Sequence, residues 1–285
     1  MKYFIVSDTH SFYSELMQTL NDVGFDFNNP EHIFVLCGDL FDRGKESKEI
    51  LEWVKSLPKE RRVLIRGNHE YLLRDLLKKD FPDSWDFSNG TVRTCCDLTG
   101  YDIYDVYYST YSKFFDTGYN VWNQVRKDMK KYDLVKWIFS DEWVNYYEIN
   151  DLILVHSFIP LKDNSDVPTP PYVLYGHNYS YRKDWRRASL RSWEDATWGC
   201  PYILYMAHLF DEEIKKGKTL VCGHWHTNDF HDAFRGLDEE PEESYEVFHK
   251  GNLIALDGCI ALTHQCNILV VNEDGTLTDR FNNPI

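Results

Sequence analysis

Ile33-Phe34-Val35-Leu36-Cys37-Gly38-Asp39-Leu40-Phe41-Asp42-Arg43-Gly44 joins a short apolar run to a polar loop. The run has the length and the β-branched, aromatic content of a buried strand, and Gly38 ends it. Three other segments repeat this arrangement. Tyr3–Val6 precedes Ser7-Asp8-Thr9-His10, Val63–Ile65 precedes Gly67-Asn68-His69-Glu70, and Thr219–Cys222 precedes Gly223-His224-Trp225-His226. In an open α/β sheet the carboxyl ends of the strands line the crevice where ligands bind, so residues distant in sequence meet there.

Working outward, the first 80 residues alternate: strand 3–7, helix near 12–23, strand 33–37, helix near 46–57, strand 62–66, and a helix beginning at Glu70. This order calls for parallel strands joined by crossover helices. From about Phe81 to Tyr147 the chain is rich in Tyr, Trp, Phe and Asp, lacks strand alternation, and spaces Val135, Ile138 and Phe139 helically. It reads as a mainly helical insertion that packs over the sheet edge, shapes a substrate groove, or does both. Strand character returns at Leu152–Val155, ending in His156-Ser157. A loop rich in Pro and Tyr (Pro160, Pro168, Pro170, Pro171) follows, and Arg182–Arg191 then concentrates positive charge. Residues 201–216 read as a helix, with Pro201 in its first turn and Gly217 after its end. Strands near 252–257, 267–272 and 276–281, the last two joined by the turn Asn272–Gly275, predict antiparallel pairing and a second, mixed sheet.

At 285 residues and 43% apolar content the chain suits a single domain over 1–285 carrying the insertion at about 81–147. It enters its first strand without a leader-like segment, and no run of about 18 apolar residues could span a bilayer. Seven cysteines without C-x-x-C spacing read as reduced core thiols. Together these features predict a cytoplasmic protein with no membrane partner. A net charge of −15 argues against a nucleic-acid polymer as partner, and Asp238–Glu243 reads as a solvated acidic loop. A small anionic substrate stays compatible, because divalent cations and a few arginines dominate the field close to a site.

Asp and His supply the oxygen and nitrogen donors that Mn, Fe and Zn accept, and a carboxylate can bridge two cations. Asp39 is the candidate bridge. On an extended backbone alternate side chains share a face, so Asp8/His10 and His224/His226 can each turn both members to one site. Asp-x-His alone is a common accident. Gly-Asp-x-x-Asp-Arg-Gly followed about thirty residues later by Gly-Asn-His-Glu is not.

On these motifs the chain resembles the calcineurin-like metallophosphoesterases, closest to the branch of serine/threonine phosphoprotein phosphatases and symmetrical diadenosine tetraphosphatases. The resemblance implies a four-layer α/β/β/α sandwich of two mixed sheets with a dimetal centre at its edge. It implies Asp8, His10, Asp39 and His226 as ligands of one metal, and Asp39, Asn68, His156 and His224 as ligands of the other. By itself, a lone His such as His156 after an apolar strand reads as a hydrogen-bonded core residue; its position between two motifs assigns it to metal. Two such ions would activate a shared water for in-line attack on phosphorus. His69 is the candidate general acid, and the resemblance makes Asp42 its orienting partner. Arg43 and Arg66 are candidate phosphate clamps, Arg66 having a surface ion pair as its alternative. Glu70 reads as a helix N-terminal charge. Asp257 reads as a partner to a ligand imidazole, and His177 as a substrate contact or a bystander.

The motifs depart from the phosphoprotein phosphatase pattern at Ser7 and Ser11, which stand at its glycine positions, and at His226, which that branch usually lacks. The expected activity is metal-dependent hydrolysis of phosphate monoesters, with phosphoserine or phosphothreonine in proteins as substrate. Hydrolysis of dinucleoside polyphosphates is the alternative, with the aromatic insertion and Arg182–Arg191 available to a nucleotide. A non-catalytic scaffold on the same fold is the alternative of another class, disfavoured by the complete ligand set.

Overall fold

The computed structural model describes residues 1–111, 120–164, 179–236 and 243–285; His177 and most of the acidic loop lie outside them. The amino-terminal alternation is as expected: β1 (Lys2–Val6), β2 (His32–Cys37) and β3 (Arg62–Ile65) pair in parallel, with Tyr3 opposite Ile33 and Leu36 opposite Leu64. The connecting helices are α1 (Tyr13–Asp22) and α2 (Ser47–Ser56), and α3 (Asn68–Leu76) follows β3.

Beyond α3 the helices α4 (Ser84–Ser88), α5 (Thr91–Thr99), α6 (Ile103–Tyr111), α7 (Val121–Met129) and α8 (Leu134–Ile138) fill most of the expected insertion. Its last residues are strand instead. β4 (Trp143–Val144) extends the first sheet alongside β3, and β5 (Tyr147–Ile149) begins the second, so the chain changes sheets within a few residues. β6 (Leu152–Leu154) pairs antiparallel with β5; β7 (Lys162–Asp163) and β8 (Tyr179–Ser180) form a small ribbon. The second sheet is completed by β9 (Thr219–Cys222), β10 (Phe248–Lys250) and β11 (Leu253–Ala255), in the order β10-β11-β9-β6-β5.

The carboxyl-terminal strands correct one expectation. β12 (Ile268–Val271) and its hairpin partner β13 (Leu277–Thr278) join the first sheet, β12 antiparallel to β1 with Ile5 opposite Leu269, rather than building the second. All four residues of β12 are buried, which a position inside a sheet covered on both faces demands. The stretch 201–216 is likewise two short helices, Pro201–Met206 and Asp211–Ile214, separated at His208, whose φ of 62° cannot continue a helix.

Side-chain alternation produces four layers. Ile5, Val35 and Ile65 of the first sheet face Leu154, Val221 and Ile254 of the second across a shared core. Phe4, Phe34 and Leu36 point the other way, onto the helices of the first half. Ile153, Leu220 and Leu253 face an outer layer containing Trp185, Trp193 and Phe210. The seven cysteines are all free and buried. Among the described residues no helix is long and apolar enough to cross a membrane.

Candidate metal centre

The loops after β1 and β2 run side by side. Backbone N–H groups of Asp8, His10 and Ser11 donate to the carbonyls of Gly38, Asp39 and Leu40 at 2.9–3.1 Å, carrying the parallel pairing past the strand ends. Asp8, His10 and Asp39 have φ of 52°, 47° and 58°, and Asp42, Arg43 and His224 are also left-handed. The convergence of Asp8 and His10 therefore arises from a turn, not from the extended alternation expected. Such conformations are unfavourable for residues other than glycine and persist where the surroundings over-determine them. Here Glu70 does much of that. Its carboxylate accepts the N–H groups of Gly67 (2.6 Å), Asp39 (3.0 Å) and Leu40 (3.0 Å), tying the start of α3 to the Asp39 loop. Glycines at two positions allow the closest approaches: a Cβ at Gly67 would strike the Asp39 carboxylate, and one at Gly223 would strike Ser7 and Asp8. Ser7 turns its space to use, donating to the carboxylate of Asp8 and to the Cys37 carbonyl.

Asp39 stands at the centre. Donor atoms of His10, Asp39 and His69 lie within 4.8 Å of one another, as do those of Asp39, His156 and His224, so one carboxylate belongs to both groups. Asp39 Oδ2 is 3.8 Å from His10 Nε2 and from His69 Nε2, and its Oδ1 is 3.5 Å from His156 Nε2. Asp8 Oδ1 is 4.0 Å from His10 Nε2. The imidazoles are oriented from behind: His10 Nδ1 donates to the Phe41 carbonyl at 2.8 Å and His156 Nδ1 to that of Cys37 at 2.9 Å. Each then presents the lone pair of Nε2 to the cluster. For His156 that lone pair meets the Asn68 amide oxygen, as the amide is oriented, at 2.7 Å. Two acceptors face each other, an arrangement that a shared cation relieves.

Electrostatics point the same way. Burial pushes Asp8 up to about 7 against its bonds from Ser7 and the His224 N–H, and raises Asp39 well above the usual carboxylate range, with Asp8 and Glu70 adding repulsion. Burial lowers His10 and His224 well below the ordinary imidazole value and His156 to about 4, keeping these rings neutral and ligand-competent, and it lowers His69 as well. The donor set thus fits divalent transition metals.

His69 is held apart by its rear nitrogen: Nδ1 bonds Asp42 Oδ2 at 2.6 Å while Nε2 faces Asp39. Asp42 is fully buried, and the helical insertion holds it there. Thr91 and Thr94 on α5 donate to its two oxygens at 2.7 Å, and Thr94 Oγ1 also accepts the Asp42 N–H at 2.9 Å. Burial pushes Asp42 up to about 7, against the pull of both threonines and of Arg43.

Not every expected residue comes to the cluster. Arg43 is exposed at its edge, close enough for its charge to act on Asp8, Asp39, His69 and His224. Arg66 is turned away: it donates to the carbonyls of Ile138, Ser140 and Trp143 and to Asn145 at 2.8–2.9 Å, bracing the segment that leads into β4. His226 is not in either donor group; it occupies the N-cap position of the helix Thr227–Ala233 without a side-chain hydrogen bond to it. Asp257 is buried, and burial together with Asp8 pushes it up to about 7, with His226 pulling it down. Arg182, Arg186 and Arg191 pair with Asp184, with Glu148 and Glu213, and with Glu194 and Asp195. Glu70 at the third residue of α3 reaches back to the Gly67 N–H as the acidic half of a capping box does, though Gly67 supplies no side-chain half. Thr91 and Thr94 carried no signal in the sequence.

The family model for calcineurin-like phosphoesterases matches residues 1–228. The chain belongs to this family. It is 40% identical over 79 residues to the symmetrical bis(5'-nucleosyl)-tetraphosphatase of Proteus mirabilis, covering 28% of each chain. It is 29% identical over 76 residues to the asymmetrical tetraphosphatase PrpE of Halalkalibacterium halodurans, covering 24% of this chain and 31% of that one. It therefore spans under a third of the length of these curated relatives. Its fold resembles that of a cold-active protein-tyrosine phosphatase of a psychrophilic Shewanella, with a TM-score of 0.53 at 15% identity, covering 100% of this chain and 79% of that one.

Proposed function

We propose that this calcineurin-like phosphoesterase is a dinuclear-metal-dependent hydrolase of phosphate esters. What supports this above all is Asp39, shared by two imidazole donor groups, one of which contains an imidazole anchored on a buried carboxylate. Asp8, His10 and Asp39 would hold one ion and Asp39, Asn68, His156 and His224 the other; for His226 the support is the family resemblance. Bound Mn, Fe or Zn supplies an activated water and neutralises charge on the phosphoryl group. The chain's own residues do the rest. Arg43, at the mouth, attracts and orients the phosphate. His69 Nε2 delivers a proton to the leaving oxygen, and Asp42, through Nδ1, orients the ring and favours its protonated form. Seven unpaired buried cysteines suit a cytoplasmic setting.

Phosphate monoesters, including phosphoserine or phosphothreonine in proteins, are the first substrate class. A second, dinucleoside polyphosphates, is favoured by what the curated relatives are named for. The deciding assay offers manganese-loaded protein a phosphopeptide beside diadenosine tetraphosphate; hydrolysis of the dinucleotide alone would remove the protein-phosphatase reading. Metal-dependent turnover of either substrate, abolished in Asp39→Asn, is the result expected of the hydrolase itself.

A further inference from the structure

A cleft of about 970 Å³ opens beside His224, between α4 of the insertion and the loops at the edge of the second sheet. Three indoles line it: Trp85 from α4, Trp198 from the turn after Leu190–Ala196, and Trp225 from the Gly-His-Trp-His string. Trp198 and Trp225 stand edge-on to His224, with ring centroids 6.1 and 6.3 Å away. Trp85 is 56% exposed, so a large apolar ring faces solvent next to a catalytic cluster. The lining carries no Lys or Arg among the described residues; its carboxylates are Asp83 and Asp229. Asp83 is occupied by Lys79 and by the N-terminus of α4.

We infer that this cleft is a nucleobase subsite: Trp85 and Trp198 offer faces for stacking, and Asp229 offers the acceptor that a ring bearing an exocyclic amine requires. This rests on the phosphoesterase proposal for what lies at the other end of the ligand, the phosphate at Arg43. The chemistry of the lining selects among occupants. A second phosphate would meet carboxylates, and a phosphopeptide is ordinarily held by basic side chains, which this lining lacks. A flat, uncharged, amine-bearing ring satisfies both the indoles and Asp229.

The test separates the ring from the phosphate by titrating full-length protein with adenosine, and with ribose as control, while following the indole N–H resonances. Adenosine is expected to bind saturably and to shift the Trp85, Trp198 and Trp225 signals, and ribose to shift none. Trp85→Ala, at an exposed position where the fold is not at stake, is expected to weaken adenosine roughly tenfold, with Trp85→Phe restoring most of it. Indistinguishable responses to adenosine and ribose, or Trp85→Ala binding adenosine as tightly as the parent, would overturn the inference. Phosphoserine hydrolysis without adenosine binding would sink the subsite and leave the hydrolase standing. Saturable adenosine binding without hydrolysis of any phosphoester would do the reverse.

Discussion

Replacing Asp42 by Asn tests the proposed division of labour between metal-holding and proton-donating residues. The carboxylate is fully buried, 2.6 Å from His69 Nδ1, and is itself a member of neither donor group. Two unit charges about 4 Å apart at an effective dielectric of about 20 interact by roughly 4 kcal/mol. At about 1.4 kcal/mol per pKa unit, removing the charge lowers the His69 imidazolium by about three units. Burial already depresses that imidazole, so the protonated form at neutral pH falls by about a thousandfold. Asn preserves the shape; its oxygen can accept the Thr91 hydroxyl while its NH2 donates to Thr94 Oγ1, whose hydroxyl must turn away. The expected result is a loss in kcat of roughly 10²–10³ on phosphoserine, whose alkoxide must be protonated as it leaves. On p-nitrophenyl phosphate, whose leaving group needs no proton, the loss should be below about tenfold. Manganese content by elemental analysis should equal that of the parent. His69→Asn should show the same split between substrates and the same retained metal. Equal losses on both substrates, or metal lost from either variant, would refute the assignment and make His69 a ligand, as its 3.8 Å approach to Asp39 Oδ2 also allows.

Three further outcomes follow from the same contacts. Thr94→Val removes a donor to one Asp42 oxygen and the acceptor of its N–H, both buried, and should cost about 2–4 kcal/mol, read as a fall in melting temperature of roughly 5–15 °C. Gly67→Ala drives a methyl group into the Asp39 carboxylate, so manganese affinity measured by equilibrium dialysis should fall about 10–100-fold while circular dichroism is unchanged. Glu213 is fully buried; burial alone would raise its pKa, yet its bonds from Lys216, Tyr181, Trp185 and Arg186 outweigh that and hold it at about 2 against an ordinary 4.5. The depressed folded-state value means its contribution, about 3 kcal/mol, is present above pH 4.5 and lost as pH falls toward 2, so thermal melts of Glu213→Gln and parent should differ at pH 7 and converge near pH 2.

What could be read in the sequence divides by range. The parallel β1–β3 core was legible because each strand is a short apolar run closed by Gly or a polar residue, and the crossover rule fixes the rest. The residues of the candidate centre could be gathered from the sequence because Asp, Asn and His are concentrated at strand ends. Alternation alone could not assign β12 and β13 to a sheet. The choice depends on whether Leu269 meets Ile5 or a strand of the other sheet, a tertiary competition between equally apolar edges. Arg66 was misjudged for a related reason. An arginine after a strand next to Gly67-Asn68-His69 looks like a phosphate clamp until the carbonyls at 138, 140 and 143 are seen to converge on it. Thr91 and Thr94 were invisible because two threonines one helical turn apart read as ordinary helix surface.

Charge gives these residues a common logic. Asp8, Asp39, Asp42, Glu70 and Asp257 are all buried in one region, and burial raises every one of them. The imidazoles beside them are neutral, which leaves Arg43 as the side-chain cation whose charge reaches Asp8, Asp39, Asp42 and Asp257 together. One exposed guanidinium does not offset that much buried carboxylate, and hydrogen bonds satisfy only Glu70 and Asp42 fully. Asp8 and Asp39 are left facing imidazole lone pairs at 3.5–4.0 Å, distances too long for hydrogen bonds. A scaffold that needed only stability would have replaced such groups with apolar ones of similar volume. Left-handed backbone, the Glu70 latch and the space left by Gly67 and Gly223 are what the proposed metal cage would require, so on that proposal chelation should lower the melting temperature of the parent and barely move that of Asp39→Asn.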